Sequence, residues 1–211
     1  MTKYNFINYN KGNCMVFEEK KECFIPIPKN ASTTFRKYFE WQNVPLSSFT
    51  KNPEILLNNK VFTIIREPID RFCSGYIEIV DRKNKNKEVE LYEFFKITDR
   101  KDKFIQFVED VHVCFFDSHI VPQTFFLTGE QGDMIKIDET LLLSQVSKKI
   151  EELFDKKPKK KRPQIHQNKT RSRRKQIIKS YVEENIQLKK RIEKLYYKDF
   201  ELYEKTRKEF K

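Results

Sequence analysis

The chain has 211 residues, and its 19 Phe and 9 Tyr supply enough apolar surface for one domain with a substantial core, although 35% of the residues are charged. No apolar run approaches the roughly 20 residues of a membrane span, and residues 1–5 lack the basic-then-apolar order of a signal peptide, so a soluble intracellular protein is expected. The net charge of +12 is local: twelve Lys and Arg and no acidic residue fall in residues 156–179, and the rest of the chain is neutral, with 31 of each sign.

Residues 1–22 are polar with scattered aromatics and read as an irregular lead-in or a short hairpin. Glu22-Cys23-Phe24-Ile25-Pro26-Ile27 reads as a buried strand. Pro28-Lys29-Asn30-Ala31-Ser32-Thr33-Thr34-Phe35 then turns into a helix from 32 to about 42, with Phe35, Tyr38 and Phe39 on one face. A helix N-terminus exposes main-chain N–H groups and the positive end of its dipole, which favours an anion. Lys29 adds a full charge, and Ser32, Thr33 and Thr34 add hydroxyls. The competing reading of the same residues is an ordinary strand–helix junction capped by Ser32.

Residues 43–59 read as a loop with at most one helical turn. Lys60-Val61-Phe62-Thr63-Ile64-Ile65-Arg66 is the clearest strand, short, apolar and β-branched. Glu67-Pro68 opens a helix through about 82, with Phe72, Tyr76, Ile79 and Val80 as its apolar stripe. Strand–helix–strand–helix order predicts a parallel sheet with helices on its faces. Ligands of such sheets gather at the carboxyl ends of the strands, where Lys29 and Arg66 both stand. Further on, the pattern predicts a turn at 83–88 and short helices over 91–97 and 104–111. A polar loop follows over 114–123, then strands over 124–127 and 134–138 and a helix over 139–154. After the basic segment a long helix runs from 181 to about 208, kinked near 197–200.

There are four glycines in the chain and none in residues 24–40, so the loop at Lys29 is not the glycine-rich cradle of an NTPase. Cys14, Cys23, Cys73 and Cys114 form no Cys-x-x-Cys pair and read as reduced thiols. No metal is expected.

Pro28-Lys29-Asn30-Ala31-Ser32-Thr33-Thr34-Phe35 resembles the phosphosulfate-binding loop of the sulfotransferases related to the Golgi carbohydrate enzymes. Ile64-Ile65-Arg66-Glu67-Pro68-Ile69-Asp70-Arg71-Phe72-Cys73-Ser74-Gly75-Tyr76 resembles their second motif, His119-Ile120-Val121-Pro122-Gln123 their His-x-x-Pro-Gln element, and Lys198-Asp199-Phe200-Glu201-Leu202-Tyr203 their closing element. The four stand in the family's order over residues 23–205. The resemblance implies an α/β fold of three layers, with a central parallel sheet flanked by helices and a P-loop-like nucleotide-binding core, in a single domain over 1–211. It implies transfer of a sulfuryl group from 3′-phosphoadenosine-5′-phosphosulfate (PAPS), a co-substrate, to an acceptor hydroxyl, with carbohydrates among the candidates. On that reading the donor meets Lys29, the main chain of Asn30 and Ala31, and the hydroxyls of Ser32, Thr33 and Thr34, while Arg66 and Ser74 take its 3′-phosphate. The sequence is shorter than the Golgi enzymes, and no membrane anchor is expected.

In-line transfer builds charge on the leaving oxygen, which gives Lys29 a catalytic task. A base with a pKa near neutrality favours histidine. His119 is the first candidate, with Asp117 as its partner, and Glu67 is the alternative; His112 and Arg71 read as structural. The basic segment over 156–179 is expected to form a loop over the donor site, with Asn168, Lys169 and Arg173 as contacts. Two other readings compete. A nucleic-acid-binding protein would use the same basic segment, but residues 156–174 hold no aromatic for base stacking. A small-molecule kinase of related fold would bind ATP and Mg²⁺ instead.

Overall fold

The computed structural model describes residues 12–35, 46–82, 96–111, 117–129, 132–154 and 169–210. They fall into two compact units. The first, built on a sheet, takes the described residues of 10–66, 122–165 and 201–211; the second, helical, takes those of 67–121 and 166–200.

The sheet unit has five strands, β1 (Asn13–Phe17), β2 (Glu22–Ile25), β3 (Leu46–Ser48), β4 (Lys60–Ile65) and β5 (Glu139–Leu142), in the order β3-β1-β2-β4-β5. β2, β4 and β5 run parallel, with Phe24 opposite Phe62 and Ile64 opposite Leu141. β1 pairs antiparallel with both β2 and β3, so the sheet is mixed and not wholly parallel as expected. Only residues 18–21 join β1 to β2, through a 3₁₀ turn at Glu18–Lys20 and Lys21 at φ 49°. That is far too short for a parallel crossover and forces a hairpin. β4 is buried along its whole length after Lys60, as a central strand covered on both faces must be.

One face of this sheet carries Met15, Phe17, Phe24, Phe62, Ile64 and Leu141. Phe35, from the helical residues 32–35, and Val146, Ile150 and Leu153 of the helix Val146–Phe154 pack on it. Phe24 is the centre, with ring centroids 4.5 Å from Phe35 and 5.1 Å from Phe62. At the amino ends of the parallel strands Lys149 is buried (3% exposed) beside the Phe62 ring. Its ammonium lies 2.6 Å from Glu22 and 2.9 Å from Glu139, which also takes Lys60 at 2.7 Å. Burial alone would raise the Glu139 carboxyl, but hydrogen bonds from Lys60 and Lys149 outweigh it and hold the group below its ordinary range.

Three expectations are corrected here. Residues 123–126 form a helical turn, not a strand: Phe125 N–H donates to Pro122 O and Leu127 N–H to Thr124 O. Residues 134–138 form no strand; Met134 makes a single bridge to Thr128. Residues 139–154 are not one helix. Glu139–Leu142 is β5, because Leu141 reaches the core beside β4, and the helix begins only at Val146 after a 3₁₀ turn. With the helices numbered in chain order, these are α1 (Glu54–Asn58), α2 (Pro68–Arg82), α3 (Arg100–Asp110), α4 (Gln123–Phe126), α5 (Val146–Phe154), α6 (Lys169–Glu184), α7 (Ile186–Leu195) and α8 (Tyr197–Glu209).

The helical unit packs α2, α3, α6 and α7 around Phe72, Tyr76, Phe104, Phe107, Val182, Leu188 and Ile192. Tyr76 meets Phe104 edge-on at 5.0 Å. Asp99 caps α3 by accepting from Lys101 N and Asp102 N, and Asn185 caps α7 in the same way. The long helix expected from 181 therefore breaks at Asn185 and again at Tyr196, and the first of its pieces begins at Lys169, inside the basic segment. The remainder of the helices expected over 32–42 and 91–97 lies mostly outside the described residues. No helix among the described residues is long and apolar enough to cross a membrane.

Three cysteines are buried free thiols. Cys14 and Cys23 hydrogen-bond to each other, and burial pushes the Cys73 thiol up to about 12, which leaves it unreactive. Cys114 lies outside the described residues.

Candidate functional site

In the sheet unit, β2 runs through Pro26 and Ile27 into a turn in which Lys29 (φ 69°) and Ala31 (φ 61°) both adopt left-handed backbone. Each costs an L-residue about 1–2 kcal/mol, so the turn must be held from outside. Asn30 between them is fully buried. Its N–H closes the turn on Ile27 O at 3.1 Å, and its Nδ2 donates to Ile64 O at the end of β4 (2.9 Å) and to Gln123 Oε1 (2.5 Å). A backbone that alternates around a left-handed residue turns its N–H groups toward one concave side, a cradle suited to an anion. The first helical bond, Phe35 N–H to Ala31 O at 3.0 Å, leaves residues 32–34 as the exposed first turn.

Arg66, the first residue after β4, is fastened to the same turn. Its Nη1 donates to Lys29 O at 2.9 Å. Its main-chain N–H donates to Gln123 Oε1, and its carbonyl accepts from Gln123 Nε2, both at 2.9 Å. Lys29, Asn30, Ala31, Ser32, Thr33, Thr34 and Arg66 thus cluster at the carboxyl ends of β2 and β4. Asn30 forms the interior of this loop: its N–H and amide are committed to Ile27, Ile64 and Gln123, and its buried Oδ1, which has no partner among the described residues, is an acceptor.

In the helical unit, α2 opens on Glu67. Its two carboxylate oxygens accept from Ile69 N (2.9 Å) and Asp70 N (2.7 Å), the work of a capping residue. Ser74 Oγ donates to Asp70 O at 2.9 Å, and the Asp70 carboxylate takes Lys175 of α6 at 2.8 Å. Part of the basic segment is therefore seated beside the start of α2.

The loop at 117–121 belongs to this unit too. Asp117 Oδ1 accepts the His119 N–H at 2.8 Å and lies 2.7 Å from His119 Nδ1. A carboxylate there holds the proton on Nδ1 and leaves Nε2 as a lone-pair acceptor. Three contacts fix the loop. Arg71, 1% exposed, donates to Val121 O (2.7 Å) and Ser118 O (3.3 Å). Tyr196 OH donates to Ile120 O at 2.5 Å. Gly75 lets the loop lie against α2, since a Cβ there would stand 2.3 Å from His119 O.

The residues singled out from the sequence are thus distributed as follows. The Lys29 turn and Arg66 come together, His119 meets Asp117, and Glu67 is spent on the α2 cap. Arg173 is exposed on α6. Asn168 and His112 lie outside the described residues, and of Lys169 the backbone alone is described. Gln123 and Gly75 were missed as individuals. Their one trace in the sequence is membership of the motifs that contain them, because the partners that give them meaning are remote in the chain.

The sulfotransferase family profile matches residues 7–206. No curated protein and no solved structure matches the chain.

Proposed function

The chain belongs to the sulfotransferase family, and on that premise we propose that its donor is PAPS and its acceptor a hydroxyl, with carbohydrates among the candidates. The observation that carries this reading is the loop at Lys29. Two non-glycine residues are held at positive φ ahead of a helix start, and the turn is tied to an arginine at the neighbouring strand end. Such a loop suits an anionic group. A donor with separate charges on its 5′ and 3′ sides also accounts for a second cation beside it. The P-loop-like character of the core is part of the same proposal.

PAPS supplies an activated sulfuryl group on a phosphate leaving group. The residues act around it. The first-turn N–H groups of residues 32–34, with Ser32, Thr33 and Thr34, bind the 5′ side. The Lys29 ammonium neutralises charge growing on the bridging oxygen as its bond to sulfur breaks. Arg66 grips the 3′-phosphate as a planar fork, and on the resemblance of its motif Ser74 adds a hydroxyl to that group. His119 Nε2 takes the proton from the acceptor hydroxyl as the new oxygen–sulfur bond forms, and Asp117 stabilises the imidazolium. Glu67 falls behind His119 as a base because its oxygens already accept two main-chain N–H groups. Arg173 is available to an anionic acceptor or to the donor, and Asn168 and Lys169 remain candidates on the resemblance.

The test is transfer of labelled sulfate from PAPS to a panel of glycans, phenols and peptides, with His119→Ala and Lys29→Ala as controls. Transfer lost in both variants supports the assignment. Transfer unchanged in His119→Ala removes the base and leaves the donor site standing. Binding of ATP with Mg²⁺ in place of the nucleotide bisphosphate would favour the kinase alternative.

A further inference from the structure

Gln123 is fully buried and opens α4 directly after Pro122. Its amide pairs with both main-chain groups of Arg66, as a neighbouring strand would, and so supplies the last rung of β4 where the sheet has ended. The same Oε1 takes the Asn30 amide, and Asn30 in turn holds Ile64 O. A closed ring results: Gln123 to Arg66, Arg66 to Lys29 O, and Asn30 back to Gln123. Every member lies in the sheet unit. The side chain sits 57 residues from Arg66 and 93 from Asn30 in the chain, so neither local turn sets this arrangement by itself.

We infer that Gln123 is a positioning residue: one buried amide sets both the left-handed turn at Lys29–Ala31 and the main chain of Arg66, and thereby the spacing between the two cationic grips on the donor. This rests on the donor reading above. It differs from a packing role in a checkable way, because the amide uses an acceptor and a donor at once. Gln123→Met keeps the volume and removes both. Gln123→Glu keeps the acceptor but places an anionic oxygen against Arg66 O. When protonated, that glutamic acid has one acceptor and one donor and reproduces the amide.

The experiment is titration of the full chain with adenosine 3′,5′-bisphosphate, with melting temperature recorded alongside. Gln123→Met is expected to bind at least tenfold more weakly. Asn30→Ala is expected to weaken binding as well, and the double variant to be no worse than the weaker single one, since both act through one ring. Gln123→Glu is expected to bind weakly at pH 8 and to approach wild type as the pH is lowered through the raised pKa of a buried glutamic acid. Effects of pH on the nucleotide cancel in the ratio to wild type. If Gln123→Met does not fold, Gln123→Glu carries the test. Affinity within twofold of wild type in the folded variants at every pH, or strictly additive losses with Asn30→Ala, would overturn the positioning role alone. Failure of wild type itself to bind would overturn the donor reading, and the positioning role with it.

Discussion

Gly75→Ala sets two opposed effects against each other. In an open helix interior alanine is more favourable than glycine by about 1 kcal/mol, so a site with room would gain stability. At Gly75 the new Cβ would stand 2.3 Å from His119 O and 3.0 Å from the His119 carbonyl carbon and Ile120 Cγ2. An ordinary contact of carbon with a carbonyl oxygen is about 3.3 Å or more, so the loop must retreat by about 1 Å. Main chain cannot swing aside as the end of a long side chain can, and this main chain is held by Arg71 and Tyr196. Overpacking of this kind costs about 1–3 kcal/mol. The net change is a loss of up to about 2 kcal/mol, or a melting temperature lower by up to about 8 °C for a chain of this size. On the proposed role of His119 as base the effect on turnover is larger, because a displacement of about 1 Å in a reacting group costs about a hundredfold, and His119 rides on the displaced segment. Differential scanning calorimetry and sulfate transfer on the same preparation give both numbers. A variant that melts higher than wild type and turns over normally would refute the close approach and the role given to the loop.

Asp117→Asn is expected to lower turnover by about a hundredfold or more, by releasing the His119 tautomer, with the affinity for adenosine 3′,5′-bisphosphate unchanged by titration. Lys149→Met leaves Glu22 and Glu139 without their buried cation at the strand ends and is expected to cost about 3 kcal/mol in urea denaturation; a loss below about 1 kcal/mol would count against the ion cluster built on Lys149. Because the Glu139 pKa is depressed in the folded state, its contribution is fully present above the unfolded carboxylate pKa and is lost as the pH falls through the lower folded value. Lys60 is raised by the same carboxylate, so its share is present below the unfolded lysine pKa and lost as the pH rises through the higher folded value. Denaturation midpoints across pH should therefore decline at both ends, and the acid decline should be shallower in Lys149→Met.

What could be read from the chain followed from how local each signal is. β4 declares itself because a central strand covered on both faces is a nearly continuous apolar, β-branched run, broken after Lys60 only by Thr63. Lys29 and Arg66 were placeable because each stands just beyond an apolar strand, Arg66 immediately after β4 and Lys29 a few residues after β2. β5 was hidden: it starts at a glutamate whose partners, Lys60 and Lys149, belong to other elements, and its leucines continue smoothly into the spacing of α5. Thr124-Phe125-Phe126-Leu127 has strand composition, yet Pro122 and the demand that Gln123 face Arg66 make it a helical turn. The histidine was legible as a type of residue in a polar loop, but its pairing with Asp117 is a matter of geometry at 2.7 Å. Gly75 and Gln123 carry no local signal beyond membership of their motifs, because what they satisfy is a neighbour brought by the fold.

The most direct test of the donor assignment compares adenosine 3′,5′-bisphosphate with adenosine 5′-monophosphate in equilibrium titrations of wild type and Arg66→Ala. The account predicts that wild type prefers the bisphosphate by at least tenfold and that Arg66→Ala loses most of that preference while still binding the monophosphate. Equal affinity of wild type for the two nucleotides, or a preference that survives unchanged in Arg66→Ala, would contradict it.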